Sequence, residues 1–125
     1  ILTSLGSTET APPAIMCHWP MDVTGSVGLP IPGLEAKLVP AGDKIEIRFR
    51  GPNITPGYYR DPERTKEAFD EEGFYKIGDA VKWADPSRPE LGLLFDGRVA
   101  ENFKLNSGTW VAAGVEVTAD ERQVA

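Results

Sequence analysis

One short segment constrains the fold of this chain more than any other. Residues 44–50 alternate strictly, which places Ile45, Ile47 and Phe49 on one side and four charged side chains on the other. A period of two is what a β-strand with one buried face requires. We therefore predict a half-buried strand over 44–50 in an antiparallel sheet, with the three apolar side chains on its core face.

The rest of the sequence is typical of a β-rich chain with many turns. Gly and Pro together make 24 of 125 residues (13 and 11), above the usual combined share of about 12%. Further strand signals lie at 34–39, 75–83 and 91–95, and residues 40–43 are typical of a hairpin turn. Apolar residues make up 41% of the chain, which argues against disorder.

A single short helix is predicted after residue 60. Asp61 is a favourable N-cap, Pro62 suits the first helical position, and Glu63 places an acid in the positive first turn. The helix is expected to run through Phe69 and to stop before Gly73. The predicted fold class is mainly β with one short helix.

Charge and composition exclude several functions. With 13 basic and 19 acidic residues the net charge is −6, so a nucleic-acid partner is not expected. Apolar runs fall short of the roughly 18 residues of a membrane span, so no membrane partner is expected either. Cys17 has no second cysteine to pair with, which favours the cytoplasm, and His18 is the only histidine. A His-based triad or a His/Cys zinc site therefore cannot form within this chain, and a packed or solvent-facing loop histidine is expected.

The ends of the sequence suggest an internal fragment of a larger protein. Residues 1–5 form an apolar, strand-like run without a polar lead-in, and the last residues carry no capping signal. An isolated piece of a larger sheet would expose an apolar face meant for its neighbours. We therefore expect the isolated chain to self-associate or to be unstable.

Two features could carry chemistry, and each has a structural alternative. The small and hydroxyl-rich run 6–10 follows a strand-like segment, where it could contact phosphate oxygens and where Glu9 could hold Mg²⁺. An ordinary polar turn is the alternative. Asp79 follows a glycine inside an apolar strand and needs a partner, either a sugar diol or backbone N–H groups in a bulge. Residues 96–98 could form a tight turn, or a hinge whose Arg98 binds a ligand.

Taken together, these segments resemble a known enzyme superfamily. Five of them occur in the order seen in adenylate-forming enzymes, the superfamily of acyl- and aryl-CoA synthetases, peptide-synthetase adenylation domains and firefly luciferase. They are Leu5-Gly6-Ser7-Thr8-Glu9, Gly28-Leu29-Pro30-Ile31-Pro32-Gly33, Arg50-Gly51-Pro52-Asn53-Ile54-Thr55-Pro56-Gly57-Tyr58-Tyr59, Gly73-Phe74-Tyr75-Lys76-Ile77-Gly78-Asp79 and Gly97-Arg98. The segments 95–105 and 108–111 resemble bacterial feruloyl-CoA synthetases more narrowly.

The resemblance implies a fold, a domain division and a nucleotide site. Residues 1–97 would be the last subdomain of a large N-terminal adenylation domain, a distorted antiparallel β-barrel-like unit. Residues 98–125 would be the hinge and the truncated start of a small C-terminal domain. Thr8 would contact a phosphate of ATP or AMP, Glu9 would ligate Mg²⁺, and Asp79 would bind the ribose hydroxyls with Arg98 beside it.

The resemblance also implies an acid pocket and a second step. Gly6 and Ser7 would line the end of the carboxylate-substrate pocket, and Lys104 falls where some members have a lysine that assists transfer to CoA. Two positions depart from the family pattern. Ile77 stands where many members carry Thr or Ser, and Ala100 occupies a hinge position often filled by Asp or Lys.

The sequence thus predicts part of an ATP-dependent aryl-acid:CoA ligase that acts on ferulate or a related hydroxycinnamate in phenylpropanoid degradation. The family's phosphate loop and the lysine near the end of its small domain do not occur in these 125 residues. The isolated chain is therefore expected to be inactive without the remainder of the parent chain. Two alternatives stay open: an adenylating enzyme for a fatty or amino acid, and a non-catalytic β-rich binding module.

Overall fold

The computed structural model describes residues 2–20 and 22–99, and the backbone of 102–104 and 110–112. One sheet contains seven strands, which are β1 Ser4–Leu5, β2 Ile15–Met16, β3 Ser26–Pro30, β4 Glu35–Ala41, β5 Lys44–Arg50, β6 Tyr75–Trp83 and β7 Leu93–Arg98. A separate hairpin pairs β8 Asn102–Lys104 with β9 Trp110–Ala112, and the helix α1 spans Pro62–Ala68. Short 3₁₀ turns cover Thr8–Thr10 and Pro89–Leu91.

The large sheet is antiparallel throughout, with the order β1-β2-β3-β7-β6-β5-β4. The predicted fold class, mainly β with one short helix, is confirmed. In the part of the chain described here the outer strands β1 and β4 do not pair with each other, so the sheet is not closed into a barrel.

The apolar core explains how an open sheet becomes curved. A single cluster includes Ile15 from β2, Ile47 and Phe49 from β5, and Val81 from β6. Strands β2 and β5 are separated by three others in the sheet order, a span of about 19 Å if the sheet were flat. Their side chains can share one core only because the sheet curves around it.

The predicted strand over 44–50 is confirmed as β5, with one difference on its core face. Ile47 and Phe49 are fully buried, but Ile45 is 36% exposed. Ile45 is the second residue of β5 and lies next to the two-residue turn that joins β4 to β5. The core no longer covers the strand at this end. Gly42 opens that turn with a φ of 65°, a conformation that suits glycine in a tight hairpin.

Helix α1 begins where the sequence predicts it. The Asp61 carboxylate accepts a hydrogen bond from the backbone N–H of Arg64, and Pro62 occupies the first helical position. A helix start leaves backbone N–H groups without partners inside the helix. Asp61 accepts from one of them, and Pro62 has no N–H to be satisfied. The helix has seven residues, and among the described residues no helix combines the length and hydropathy needed to cross a bilayer.

A nearly buried carboxylate, that of Asp70, joins the turn after α1 to the sheet. Asp70 Oδ2 lies 2.5 Å from Lys37 Nζ on β4 and 3.1 Å from Arg48 Nη1 on β5. Its Oδ1 accepts the backbone N–H groups of Glu72 and Phe74, each at 2.9 Å. Burial alone would raise the pKa of Asp70, but Lys37, the Phe74 N–H and Arg48 outweigh it and hold that pKa well below its usual range.

Replacing Asp70 with Asn is expected to destabilise this part of the sheet in a pH-dependent way. The lost charge should lower the free energy of local unfolding at pH 7 by roughly 1.5–3 kcal/mol. Because the folded pKa is depressed, this stabilisation is present above a pH of about 4 and is lost as the pH falls below it. Hydrogen exchange of peptides covering β4 and β5, followed by mass spectrometry across that pH range, measures it.

Glu71→Gln is the matched control, because Glu71 is the exposed acid next in the chain. It should exchange like the wild type at every pH. Equal exchange in the two variants would contradict the role given to Asp70.

Candidate active site

The first group of candidate residues lies on the turn after β1. Strand β1 ends at Leu5, Gly6 and Ser7 follow, and the 3₁₀ turn Thr8–Thr10 comes next. The fully buried Thr10 hydroxyl accepts the Ser7 N–H at 2.9 Å and donates to the Ser7 carbonyl at 3.0 Å. Thr10 thereby fixes the shape of the turn, while Thr8 remains exposed and Glu9 partly exposed.

This turn is tied to the segment that follows β5. Asn53 Nδ2 donates to the Thr10 carbonyl at 2.7 Å, and the Thr55 N–H donates to the Glu9 carbonyl at 2.8 Å. The Tyr58 hydroxyl donates to Glu9 Oε1 at 2.9 Å. Hydrogen bonds between loops therefore join the β1 and β5 sides of the curved sheet, where no strand ladder does so among the described residues.

These contacts keep Glu9 ionised. Its own backbone N–H, followed by the Tyr58 hydroxyl, lowers the pKa of Glu9. The Ser7 oxygen is buried and makes no hydrogen bond of ordinary geometry to any described residue. Burial, followed by the bond to Glu9, raises the pKa of Tyr58 to about 12. The phenol is therefore the donor and the carboxylate the acceptor at neutral pH.

A metal ion at Glu9 would take one carboxylate from this turn and its other ligands from elsewhere. Among the described residues no group of three or more His, Cys, Asp or Glu side chains could hold a metal ion. Mg²⁺ commonly uses one or two protein carboxylates together with water and substrate phosphates. An ionised Glu9 next to the exposed Thr8 can supply one such carboxylate.

The second group is an ion pair formed between two neighbouring strands. Arg98 Nη1 on β7 lies 3.1 Å from Asp79 Oδ1 on β6, and the two residues are paired across the sheet. The Asp79 side chain is 7% exposed and the Arg98 side chain 46% exposed. The buried carboxylate thus has a cationic partner whose guanidinium remains accessible to a ligand.

Irregular pairing on both strands creates this ion pair. Three β6 residues, 77–79, lie opposite Ile47 of β5, and two β7 residues, 96 and 97, lie opposite Ala80 of β6. Gly78 and Gly97 have φ values of 84° and 81° at these irregularities, a region that favours glycine. The alternative of a tight turn at 96–98 is wrong, because these residues are the last three of β7.

The structure thus groups most of the predicted residues into two places. Gly6, Ser7, Thr8 and Glu9 are contiguous on one turn, and Asp79 is paired with Arg98. Lys104 lies on β8 opposite Trp110, and its side chain is outside the described residues. Ala100 is also outside the described residues. The proposed domain boundary at residue 97 stays a prediction.

Sequence reasoning missed Tyr58. The segment 50–59 carried part of the resemblance, but no role was attached to any residue in it. Tyr58 and Tyr59 are adjacent, and a sequence cannot tell which ring reaches Glu9. In the structure Tyr59 is 86% exposed, while Tyr58 bonds the carboxylate.

His18 and Cys17 are adjacent in the chain but differ in exposure. His18 is exposed, and its Nε2 lies 3.1 Å from the carbonyl oxygens of both Leu29 and Pro30. Cys17 is a buried free thiol that contacts the Ser26 carbonyl. Of the two expected states of His18, packed or solvent-facing, the structure shows the solvent-facing one.

The chain is similar in sequence to several curated CoA ligases. The chain is 42% identical over 83 residues to a phenylacetyl-CoA ligase of Aspergillus niger, covering 59% of this chain and 15% of that protein. It is 39% identical over 97 residues to human long-chain-fatty-acid–CoA ligase 6, covering 71% of this chain and 13% of that protein. No family model matches the chain.

Solved structures give the same result. A malonyl-CoA ligase in a ternary product complex with methylmalonyl-CoA and AMP superimposes with a TM-score of 0.66 at 32% identity, covering 91% of this chain and 25% of that one. In both sequence and fold, the chain is therefore similar to part of enzymes named as CoA ligases. The chain spans only about one seventh of the length of the two curated relatives.

Gly78→Ala should disturb the Asp79–Arg98 ion pair through a steric contact, in addition to the backbone strain of an alanine with a positive φ. A Cβ at Gly78 would lie 3.0 Å from Arg98 Nη2, and the positive φ costs about 1–2 kcal/mol for an L residue. Gly73→Ala is the control, since its φ is 82° and nothing lies within 4 Å of the added Cβ. Both variants should lose stability, but only Gly78→Ala should speed hydrogen exchange in peptides spanning 93–99, whose Val99 N–H donates to the Gly78 carbonyl. The same exchange rate in both variants would contradict this account.

Proposed function

We propose that this chain is one part of an AMP-forming acid–thiol ligase. The parent enzyme would activate a carboxylic acid with ATP and then transfer the acyl group to CoA. The main support is that the Glu9 turn and the Asp79–Arg98 pair lie in a chain whose curated relatives are named as CoA ligases. The parent's activity is proposed to need residues outside these 125.

In the first step a carboxylate oxygen of the acid attacks the α-phosphorus of ATP, and pyrophosphate leaves. Such a transfer asks the protein mainly for positioning and charge neutralisation. Asp79 would accept hydrogen bonds from the two ribose hydroxyls, with Arg98 holding its carboxylate in place at 3.1 Å. Fixing the ribose fixes the position of the α-phosphate relative to the acid.

The Glu9 turn would act on the phosphates. The exposed Thr8 hydroxyl can donate to a phosphate oxygen. Mg²⁺, when bound through Glu9 and the phosphates, would neutralise negative charge on the leaving pyrophosphate. Gly6 and Ser7 would line the end of the acid pocket. A Cβ at Gly6 would crowd the turn itself, because it would lie 3.0 Å from Thr10 Oγ1.

In the second step the CoA thiolate attacks the acyl carbon, and AMP leaves with the bonding electrons. We propose that Lys104 assists this step, and that the small domain rotates about a hinge next to residue 97. Conformational steps of this kind complete many catalytic sites.

The acid is proposed to be ferulate or a related hydroxycinnamate, and the pathway phenylpropanoid degradation. The resemblance of segments 95–105 and 108–111 to feruloyl-CoA synthetases supports this choice. Relatives named for phenylacetyl and long-chain fatty acyl substrates keep other acids as alternatives. A cytoplasmic location and the inactivity of the isolated chain remain predictions.

Carboxylate-dependent ATP–pyrophosphate exchange by the full-length protein tests the proposal. Ferulate, p-coumarate, acetate, a long-chain fatty acid and a panel of amino acids would be compared. Exchange fastest with ferulate is the expected result. Exchange only with another acid would move the substrate assignment to that acid, and no exchange with any acid would favour the non-catalytic binding module.

Asp79→Asn should weaken ATP binding by the full-length protein roughly ten- to hundredfold, because each hydrogen bond to a charged group is worth about 1.5–3 kcal/mol. Asp43→Asn is the matched control, since Asp43 is exposed in the β4–β5 turn. Calorimetric titration with ATP measures both. Equal ATP affinities in the two variants would contradict a role of Asp79 in nucleotide binding.

A further inference from the structure

The contact between Tyr58 and Glu9 differs in kind from the other contacts to the same turn. Asn53 and Thr55 bond backbone carbonyls, those of Thr10 and Glu9, at 2.7 and 2.8 Å. Those two bonds already hold the backbone of the turn against the segment after β5. The Tyr58 hydroxyl instead bonds the Glu9 carboxylate at 2.9 Å. The Tyr58 hydroxyl therefore restrains the Glu9 side chain, which the two bonds to backbone carbonyls do not contact.

Tyr58 is itself held by the start of α1. Its backbone N–H donates to Thr65 Oγ1 at 2.8 Å, and that hydroxyl donates to the Asp61 carbonyl at 2.8 Å. The Arg64 guanidinium lies over the Tyr58 ring, 4.0 Å from its centroid. The adjacent Gly57 leaves no room for a side chain, since a Cβ would lie 2.6 Å from Thr65 Cγ2. A capped helix start therefore fixes the phenol.

We propose that Tyr58 is a positioning residue that holds the Glu9 carboxylate in the orientation that binds a magnesium–nucleotide complex, with α1 as its support. The inference rests on the proposed role of Glu9. A glutamate side chain has several rotatable bonds and samples many orientations when it is not held. A phenol bonded to one oxygen removes much of that freedom before the ligand arrives, which favours binding.

A positioning role and a merely structural role of Tyr58 predict different effects on ligand binding. If Tyr58 only joined two loops, its hydroxyl would stabilise the turn and affect all ligands alike. If it orients Glu9, its loss should affect the part of nucleotide binding that depends on the metal ion. The two roles therefore differ in their dependence on Mg²⁺.

The test uses the full-length protein and three variants. Tyr58→Phe removes only the hydroxyl and keeps the ring under Arg64. Tyr59→Phe is the matched control, because Tyr59 is 86% exposed. Glu9→Gln removes the proposed ligand charge. ATP binding is titrated calorimetrically with Mg²⁺ and, separately, with EDTA, and the Mg²⁺ concentration for half-maximal ATP–pyrophosphate exchange is recorded.

Tyr58→Phe should bind ATP about tenfold more weakly with Mg²⁺, and as the wild type does without it. It should also need a higher Mg²⁺ concentration for half-maximal exchange, while the KM for the acid stays unchanged. Tyr59→Phe should match the wild type in both assays. Hydrogen exchange of peptides spanning 7–12 should be the same in both tyrosine variants, because the Asn53 and Thr55 bonds remain.

Three results would overturn the inference. Tyr58→Phe could bind MgATP like Tyr59→Phe, or lose ATP affinity equally with and without Mg²⁺, which would indicate a structural role. In both cases a Glu9→Gln variant that loses the Mg²⁺-dependent affinity would leave the proposed function of Glu9 intact. If wild type and Glu9→Gln respond alike to Mg²⁺, the role of Glu9 fails and the inference with it.

A second variant covers the case in which Tyr58→Phe does not fold. Thr65→Val removes the acceptor of the Tyr58 N–H with little change in shape. It should weaken MgATP binding by a smaller factor and leave metal-free ATP binding unchanged. Unchanged MgATP binding in this variant would contradict the support assigned to α1.

Discussion

The rest of the structure depends on the curvature of the sheet around one apolar core. Ile15 and Phe49 lie on strands that are four positions apart in the sheet order, yet they belong to one buried cluster. Burial of such side chains contributes about 1.5–3 kcal/mol each, and curvature is the condition for it. The same curvature brings the turn after β1 to the segment after β5, so the Glu9 turn gains its contacts with Asn53, Thr55 and Tyr58.

Asp70 and Glu9 illustrate how two carboxylates with lowered pKa values can have different roles. Asp70 is nearly buried, and its two oxygens accept from Lys37, Arg48 and two backbone N–H groups. That donor set leaves it little capacity for another ligand. Glu9 is partly exposed and is bonded on Oε1 by a neutral phenol. A lowered pKa therefore identifies a site only when part of the carboxylate stays accessible.

The Asp79 carboxylate differs from those of Asp70 and Glu9, because its pairing with Arg98 depends on irregular strand pairing. Regular pairing of β6 with its neighbours would not leave three residues opposite one, and Gly78 provides the positive φ that this requires. The buried carboxylate needs its cationic partner, since an unpaired buried charge is strongly destabilising. The partly exposed guanidinium then places a positive charge where a polar ligand can reach the pair.

The sequence by itself determined the local elements and the chemical types of the candidate residues. Strict alternation predicted β5, the Asp-Pro pair predicted the start of α1, and the resemblance predicted Thr8, Glu9, Asp79 and Arg98 as one set. These are properties of short segments, so neighbouring residues suffice to specify them. The sequence left open whether Asp79 binds a sugar diol or backbone N–H groups, and it offered no reason to choose Tyr58 over Tyr59.

Only the tertiary structure decided the remaining points, because each depends on residues far apart in the chain. The Tyr58 hydroxyl bonds the Glu9 carboxylate, and the two residues lie 49 positions apart in the chain. The exposure of Ile45, which alternation places on the core face, follows from where the core ends and not from its own segment. Periodicity fixes the face of a strand on which a side chain lies, but only the packing of other strands determines whether that face is covered.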